Sequence, residues 1–525
     1  MPNMKRIARA LHSRVGAIVF VIAITGLLPL KNAAAQAATG TLLQNSTLYP
    51  RLVRLAHGSS SVNGQIVAST NGNIFLSTNG GTSFSFLDTV PTLGGSTERC
   101  CGTLYEMSQT IGSLQAGTLL YAASYFSGST PAIEIYTSTD QGHTWNYSSM
   151  PVIGGDSAHG LWEPQFEVAN DGALVMFWSD ETDSCCSQKL AQIRTYNGTA
   201  WQDQSNTVAS TIQGDRPGMA VVSKLPNGTY FMSYELCGPA ACTVFYRTST
   251  DGWNFGTSSN VGAKVQTASG QYFEHAPTNV WSPSAISSNG ALLLVGQVMF
   301  ESNGSQSAEN GQVLFANLSS DGSGSWYTIA APVQVPTAYD NYCPNYSSAL
   351  LPATDGSSIL ELASAYSSSN QCLSYFASEA WNQQPVDAST HVFVNQQAGL
   401  CLDDYGWGTT NNTEADLWTC TGAAIQNWTV HAQGNGYFSI QNQYTGLCVD
   451  NTGGSTSPGN LVSLWGCVGN NNQSWLFMDL GNGQYKLQNK AGLLNLDDTG
   501  GSSTPGTQLE IWTDNGLAPQ HWVLH

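Results

Sequence analysis

The chain has 525 residues, of which only 10% are charged, and its formal net charge is −19 at pH 7. So acidic a surface repels polyanions, and the 16 Lys and Arg residues form no run beyond the first turn of the sequence that could displace counterions from nucleic acid. Composition therefore excludes a nucleic-acid partner and favours a neutral or cationic ligand.

In chain order, Lys5, Arg6, Arg9 and Arg14 precede an apolar stretch from Val15 to Leu30, which Ala33-Ala34-Ala35 closes. This is the pattern of a secretory signal peptide over residues 1–35. The stretch is short for a membrane span and contains Gly26 and Pro29. No later segment offers about 18 unbroken apolar residues. A secreted protein is expected, extracellular or periplasmic, soluble and monomeric, with no membrane partner. Removing the leader takes away five positive charges and moves the formal charge from −19 to −24.

The 12 cysteines of an exported chain read as disulfides, since no zinc-type spacing is present. Cys401 and Cys420, like Cys448 and Cys467, lie 19 residues apart, which predicts one bridge per repeat. Cys237 with Cys242, and Cys343 with Cys372, are plausible pairs. The partners of Cys100, Cys101, Cys185 and Cys186 stay open.

Short β-rich runs alternate with turn signals along the whole length, an all-β pattern. Representative runs are Gln65 to Ser69, Ile74 to Ser77, Leu174 to Trp178, Tyr230 to Tyr234 and Leu292 to Val298. Ser138-Thr139-Asp140-Gln141-Gly142-His143-Thr144-Trp145 is a full S-x-D-x-G-x-x-W string. Looser copies run from Ser77 to Phe84, Ser249 to Phe255 and Ser319 to Trp326. They resemble the Asp-box of sialidase-type propellers, a turn between the outer strands of a blade, and so bear on fold and not on activity. The span 41–385 would hold about six four-stranded blades at ~50–60 residues each. Trp381 to Ser389, with Pro385, reads as a short linker.

Beyond it, Gln426-Asn427-Trp428, Gln473-Ser474-Trp475 and Gln520-His521-Trp522 recur every 47 residues. Asp403, Asp450 and Asp497 keep that spacing, and so do Trp418, Trp465 and Trp512. Three equal units, each too small to bury a core alone, predict a pseudo-threefold β-trefoil over 388–525. The Q-x-W triplets and the L-C-[LV]-D strings resemble the ricin B-type lectin domain. By that resemblance Asp450 accepts sugar hydroxyls, Trp465 stacks on the ring and Asn472 adds a polar contact. The first repeat has Ile425, and the third Pro519, where the middle one has Asn472.

Two acids stand out in a chain so poor in charge. Glu163 lies in Gly160-Leu161-Trp162-Glu163-Pro164-Gln165-Phe166, and Glu235 ends Tyr230-Phe231-Met232-Ser233-Tyr234-Glu235. A carboxylate among such neighbours is partly desolvated, which raises its pKa and suits a general acid. The alternative is a buried structural Glu satisfied by backbone amides. Arg51 and Arg216 either orient a substrate or bridge blades. Asp180 and Glu181 either support the site from behind or lie on a solvated turn, and the turn is the favoured reading. Tyr272, His275 and Trp281 lie in a proline-punctuated loop that either lines subsites or packs a blade. No histidine spacing suggests a metal, and no cofactor is expected.

The strings Tyr49-Pro50-Arg51-Leu52-Val53-Arg54, Trp162-Glu163-Pro164-Gln165-Phe166, Asp180-Glu181, Asp215-Arg216-Pro217-Gly218 and Ser233-Tyr234-Glu235 resemble glycoside hydrolase family 93, the exo-1,5-α-L-arabinanases. The resemblance implies a six-bladed propeller that releases arabinobiose from linear arabinan with retention. It also implies Glu163 as general acid/base and Glu235 as nucleophile, with a polysaccharide or oligosaccharide as substrate. A sialidase is the first alternative, but its carboxylate-binding arginine triad needs a late member, and no arginine follows Arg247. A non-catalytic glycan-binding adhesin is the second.

Overall fold

The computed structural model describes residues 38–525 except 157, 285, 286, 288, 325, 382–387, 435, 481 and 482. The expected signal peptide and most of the expected linker lie outside the described residues. Among those described, no helix is long and apolar enough to cross a membrane.

Six antiparallel sheets follow one another along the chain. Blade 1 begins with Pro50–Arg54, blade 2 with Ser96–Glu106, blade 3 with Leu161–Val168, blade 4 with Arg216–Lys224, blade 5 with Thr278–Ser282 and blade 6 with Ala349–Pro352. These first strands pack on one another in a closed ring and wall the central channel. Closure is covalently economical, because the outermost strand of blade 6 is Thr41–Leu42, paired through Thr41 and Phe376. The two ends of the propeller thus share one sheet, which removes the open edge that would otherwise invite strand addition. The run from Leu292 to Val298 divides into Ala291–Val295 and Val298–Phe300, which belong to different sheets. A β-carbon at Gly296 between them would sit 2.5 Å from Phe273 Cβ, so only glycine fits the crossing.

The Asp-box turns connect third to fourth strands, as expected. In the full copy Ser138 Oγ donates to Asp140 Oδ1 at 2.8 Å, and Asp140 Oδ1 accepts the Thr144 N–H at 2.9 Å. The box aromatic plugs a seam between blades: Trp145 packs with Val67 and Ile74 of blade 1 and Leu119 and Tyr121 of blade 2. Phe255 and Trp326 fill the next seams in the same way. Core burial is therefore distributed around the ring, one apolar cluster per pair of neighbours.

The C-terminal module repeats its core every 47 residues, as the spacing predicts. Trp428, Trp475 and Trp522 are fully buried, and their indole N–H groups donate to Leu402 O, Val449 O and Leu496 O at 3.1, 3.0 and 3.2 Å. The Q-x-W triplets are thus the threefold core and not ligand contacts.

The trefoil packs firmly on the propeller. Leu476 and Met478 join Leu293, Ile329, Ile359 and Trp381 in one cluster. Beside it the Lys486 ammonium, 0% exposed, lies 3.0 Å from Glu309 Oε1 of blade 5 and 2.8 Å from Asp514 Oδ2. Burial disfavours the Lys486 charge, but the two carboxylates outweigh it and hold the amine well above its usual range. Removing the amine leaves two buried carboxylates unpaired, so Lys486→Ala should cost about 3–5 kcal/mol in denaturant unfolding. A loss below 1 kcal/mol would place this triad with ordinary surface ion pairs.

Candidate active site and sugar-binding face

Within or just before each first strand lies a residue with left-handed backbone: Tyr49 (φ 62), Cys101 (φ 71), Glu163 (φ 50), Met219 (φ 56), Ala276 (φ 48) and Ser347 (φ 55). None is glycine, so each carries a conformational cost of about 1–3 kcal/mol. In blades 2, 3 and 4 the ladder slips at this point, between Cys100 and Thr103, Trp162 and Gln165, and Gly218 and Val221. Such bulges re-aim a side chain that regular alternation would send elsewhere. Here they make a ring, and Glu163 is one of its members.

Glu163 Oε2 accepts the Ser179 hydroxyl at 2.5 Å, and Ser179 Oγ in turn accepts the Met219 N–H at 3.1 Å. Glu235 stands on the second strand of blade 4, directly opposite Gly218 of the first. A β-carbon at Gly218 would come 3.3 Å from Ser179 Oγ and 3.6 Å from Glu235 Oε1. It would also come 2.5 Å from Gln188 Nε2, so the missing side chain leaves room for that amide beside Ser179 and Glu235. Glu235, only 12% exposed, accepts the Ala276 N–H on Oε2 at 2.8 Å, with His275 Nδ1 at 3.9 Å.

Electrostatics couples the pair. Burial pushes Glu163 up to about 7, against which the Ser179 and Met219 hydrogen bonds work. Burial likewise pushes Glu235 up to about 8, opposed by the Ala276 N–H and reinforced by the charge of Glu163. Both charges also act on Tyr49 and Tyr346, whose hydroxyls are held well above the ordinary phenol range chiefly by burial. The two rings pack 6.2 Å apart and join Cys101, Met219 and Ala276 in the apolar floor of the ring.

The Arg51 guanidinium lies 4.2 Å over the Tyr49 ring and donates to Ser347 O at 3.1 Å, so it bridges blades 1 and 6 beside the acids. Arg216 pairs with Glu181 Oε1 and donates to Gln188 Oε1 at 2.8 Å. Glu181 also accepts the Gly160 N–H and the Trp162 indole at 2.8 and 2.9 Å. The expectation of a solvated turn therefore needs correction for Glu181, whose Arg216 pairing holds it below the usual carboxylate range against burial. Asp180 is buried and fixes the turn through the Thr182 N–H at 2.8 Å. Glu181, His159, Asp183, Cys186 and Arg216 line a cleft of about 660 Å³. Tyr272 stacks on Phe300 at 5.7 Å, with Lys264 Nζ 3.2 Å from its ring centre. Trp281 packs its indole N–H on Asn289 O at 2.9 Å.

All six disulfides form, and the four cysteines left open pair as neighbours, Cys100 with Cys101 and Cys185 with Cys186. Bonding between adjacent residues leaves no spacing signal, so only the doublets themselves could have suggested it. Glu235, His275, Cys237 and Cys242 cluster closely enough to suggest a metal centre. The two sulfurs are joined in a disulfide, however, and offer no thiolate. Ser179, Tyr346 and the 276 amide were not singled out in the sequence, where nothing near them is unusual.

On the trefoil, Asp450 is buried and its Oδ2 accepts the Gln473 side-chain amide at 2.9 Å. Trp465, 39% exposed, follows on the neighbouring strand, and Asn472 Oδ1 would lie 2.6 Å from a β-carbon at Gly454. The first repeat carries the same Asp–Gln bond, Gln426 Nε2 to Asp403 Oδ2 at 2.7 Å, and an exposed Trp418.

A raised acid is stabilising while protonated and loses that contribution as pH rises through its folded pKa. For Glu235 the loss runs from 4.5, its ordinary value, to about 8. Glu235→Gln should therefore melt higher than wild type at about pH 9 and equally at about pH 4. An equal difference at both pH values would contradict the shift.

Residues 389–522 match the model of the ricin-type beta-trefoil lectin domain. The structure is similar to the alpha-L-arabinanase of Penicillium chrysogenum complexed with arabinobiose, at 25% identity, covering 66% of this chain and 98% of that one with a TM-score of 0.54. It is also similar to the family 93 alpha-L-arabinofuranosidase of Fusarium graminearum with arabinobiose, at 21% identity, with the same coverages and a TM-score of 0.52. Comparison with curated protein sequences gives no match. The chain thus joins a six-bladed propeller, similar in structure to arabinan-degrading enzymes of glycoside hydrolase family 93, to a ricin-type β-trefoil lectin domain.

Proposed function

We propose that this protein is a secreted glycoside hydrolase that cleaves arabinan with retention, releasing arabinobiose from the non-reducing end. The observation that carries the reading is the pair Glu163 and Glu235, both enclosed and both raised by burial, with the charge of Glu163 adding to the rise of Glu235. Retention needs two carboxyl groups about 5–5.5 Å apart, one holding a proton and one free to attack. Glu163 gives its proton to the leaving oxygen, while Glu235 attacks the anomeric carbon and forms a glycosyl ester. Glu163 then takes a proton from the water that releases the sugar.

In the free chain burial raises both acids. The roles require the shared proton to rest on Glu163 once substrate is bound. Positive charge developing at an anomeric carbon beside Glu235 favours that distribution, since it stabilises the ionised form of the nearer acid. Arg216 anchors Glu181 in the adjoining cleft, where further sugar units would lie, and Arg51 braces Tyr49 at the channel floor. Tyr272 belongs to the more distant rim. On the trefoil, Asp450, Trp465 and Asn472 hold polysaccharide and so raise the local concentration of chain ends.

Glu163→Gln and Glu235→Gln should each lower turnover of linear arabinan by about 10²–10⁴-fold while leaving the fold intact. Unchanged release of sugar by either variant would remove that residue from the reaction. Binding of arabinan by wild type without any product would favour the adhesin reading instead.

A further inference from the structure

The first trefoil repeat holds a facing pair of acids, one of which lacks any hydrogen-bond donor, whereas the third repeat's Glu510 accepts the Gly500 N–H. The first repeat's pocket, about 460 Å³, is lined by Asp403, Asp416, Tyr405, Trp407, Trp418 and Ile425 among others. Asp403 and Asp416 face each other across neighbouring strands. At the equivalent positions Asp450 faces Ser463, and Asp497 faces Glu510. Ser463 Oγ has a partner, the Thr452 hydroxyl at 2.8 Å. Asp416 is 0% exposed, yet neither of its oxygens has a hydrogen-bond partner.

A buried carboxylate without donors is costly, the more so beside a second one. Burial first, then the charge of Asp403, pushes Asp416 up to about 7. What relieves such a site is a cation carrying its own hydrogen-bond donors. A calcium or magnesium ion would need six or more oxygen ligands, whereas beyond the two acids the lining is three aromatic rings, Gly406, Thr421, Ala423 and Ile425. Aromatic faces attract both organic cations and the apolar face of a sugar. Tyr405, Trp407 and Trp418 are exposed at 52%, 49% and 43%, open to an incoming ring.

We propose that the first-repeat pocket binds a protonated amino sugar, its ammonium set between Asp403 and Asp416 and its ring against Trp418. The second carboxylate takes the place of the amide that Asn472 supplies in the middle repeat, where the first has Ile425. This assignment is independent of the hydrolase reading.

The test is calorimetric titration of the full chain with the glucosamine trimer and, separately, with its fully N-acetylated counterpart, which has the same ring without the charge. The amine should bind at least about tenfold tighter than the acetamide. Asp416→Ser, which installs the residue of the middle repeat, and Asp416→Asn should each erase that preference. Should the Asp416 variants fail to fold, Trp418→Ala, at an exposed side chain, should weaken amine binding about tenfold or more. Equal affinity for the two trimers, no binding of the amine, or a preference that survives in Asp416→Ser would overturn the assignment. So would calcium binding that is lost in Asp416→Ser.

Discussion

A carboxylate at the axis of a propeller is shut off from water by blade walls on every side but the channel, and its charge becomes expensive. Burial raises both acids here, and the charge of Glu163 adds to the rise of Glu235 as that of Glu181 adds to the rise of Glu163. Much of what surrounds Glu163 and Glu235 follows from managing that cost. Ser179, Met219 N–H and Ala276 N–H supply the donors, and Gly218 leaves room for the side chains of Gln188, Ser179 and Glu235. The left-handed ring, repeated once in each blade, is the backbone device that brings these donors and Glu163 to the axis.

That ring is strained six times over, and the strain persists because the blades hold it from outside. Each seam is plugged by aliphatic and aromatic side chains, and four seams use an Asp-box aromatic. The N-terminal strand closes blade 6, so the circle has no free edge. The trefoil adds a further clamp through Lys486, Glu309 and Asp514, which makes it a fixed companion of blades 5 and 6. The linker's composition alone gives no hint of this.

How much of this was legible in the sequence depended on periodicity. The 47-residue spacing exposed the trefoil and its core tryptophans, since a symmetric core imposes the same residues at the same depth. Asp-box strings exposed the blades because one turn geometry recurs between the same strands. Glu163 and Glu235 stood out because charge is rare in this chain and desolvated charge rarer. What stayed hidden was tertiary in origin. Ser179 and Gly218 are ordinary residues until the two strands that carry them are laid side by side. Glu181 looked like part of a turn because its cation, Arg216, comes from the next blade. The diacid of the first repeat was equally invisible, since Asp403 and Asp416 meet only across a strand pair.

The most direct test is to trap the glycosyl ester. Incubation with a fluorinated arabinofuranosyl substrate bearing a fast leaving group, followed by mass spectrometry of the digested protein, should place one sugar adduct on Glu235. An adduct on another residue, or turnover that yields the inverted anomer without any adduct, would contradict a paired-glutamate mechanism at the propeller axis.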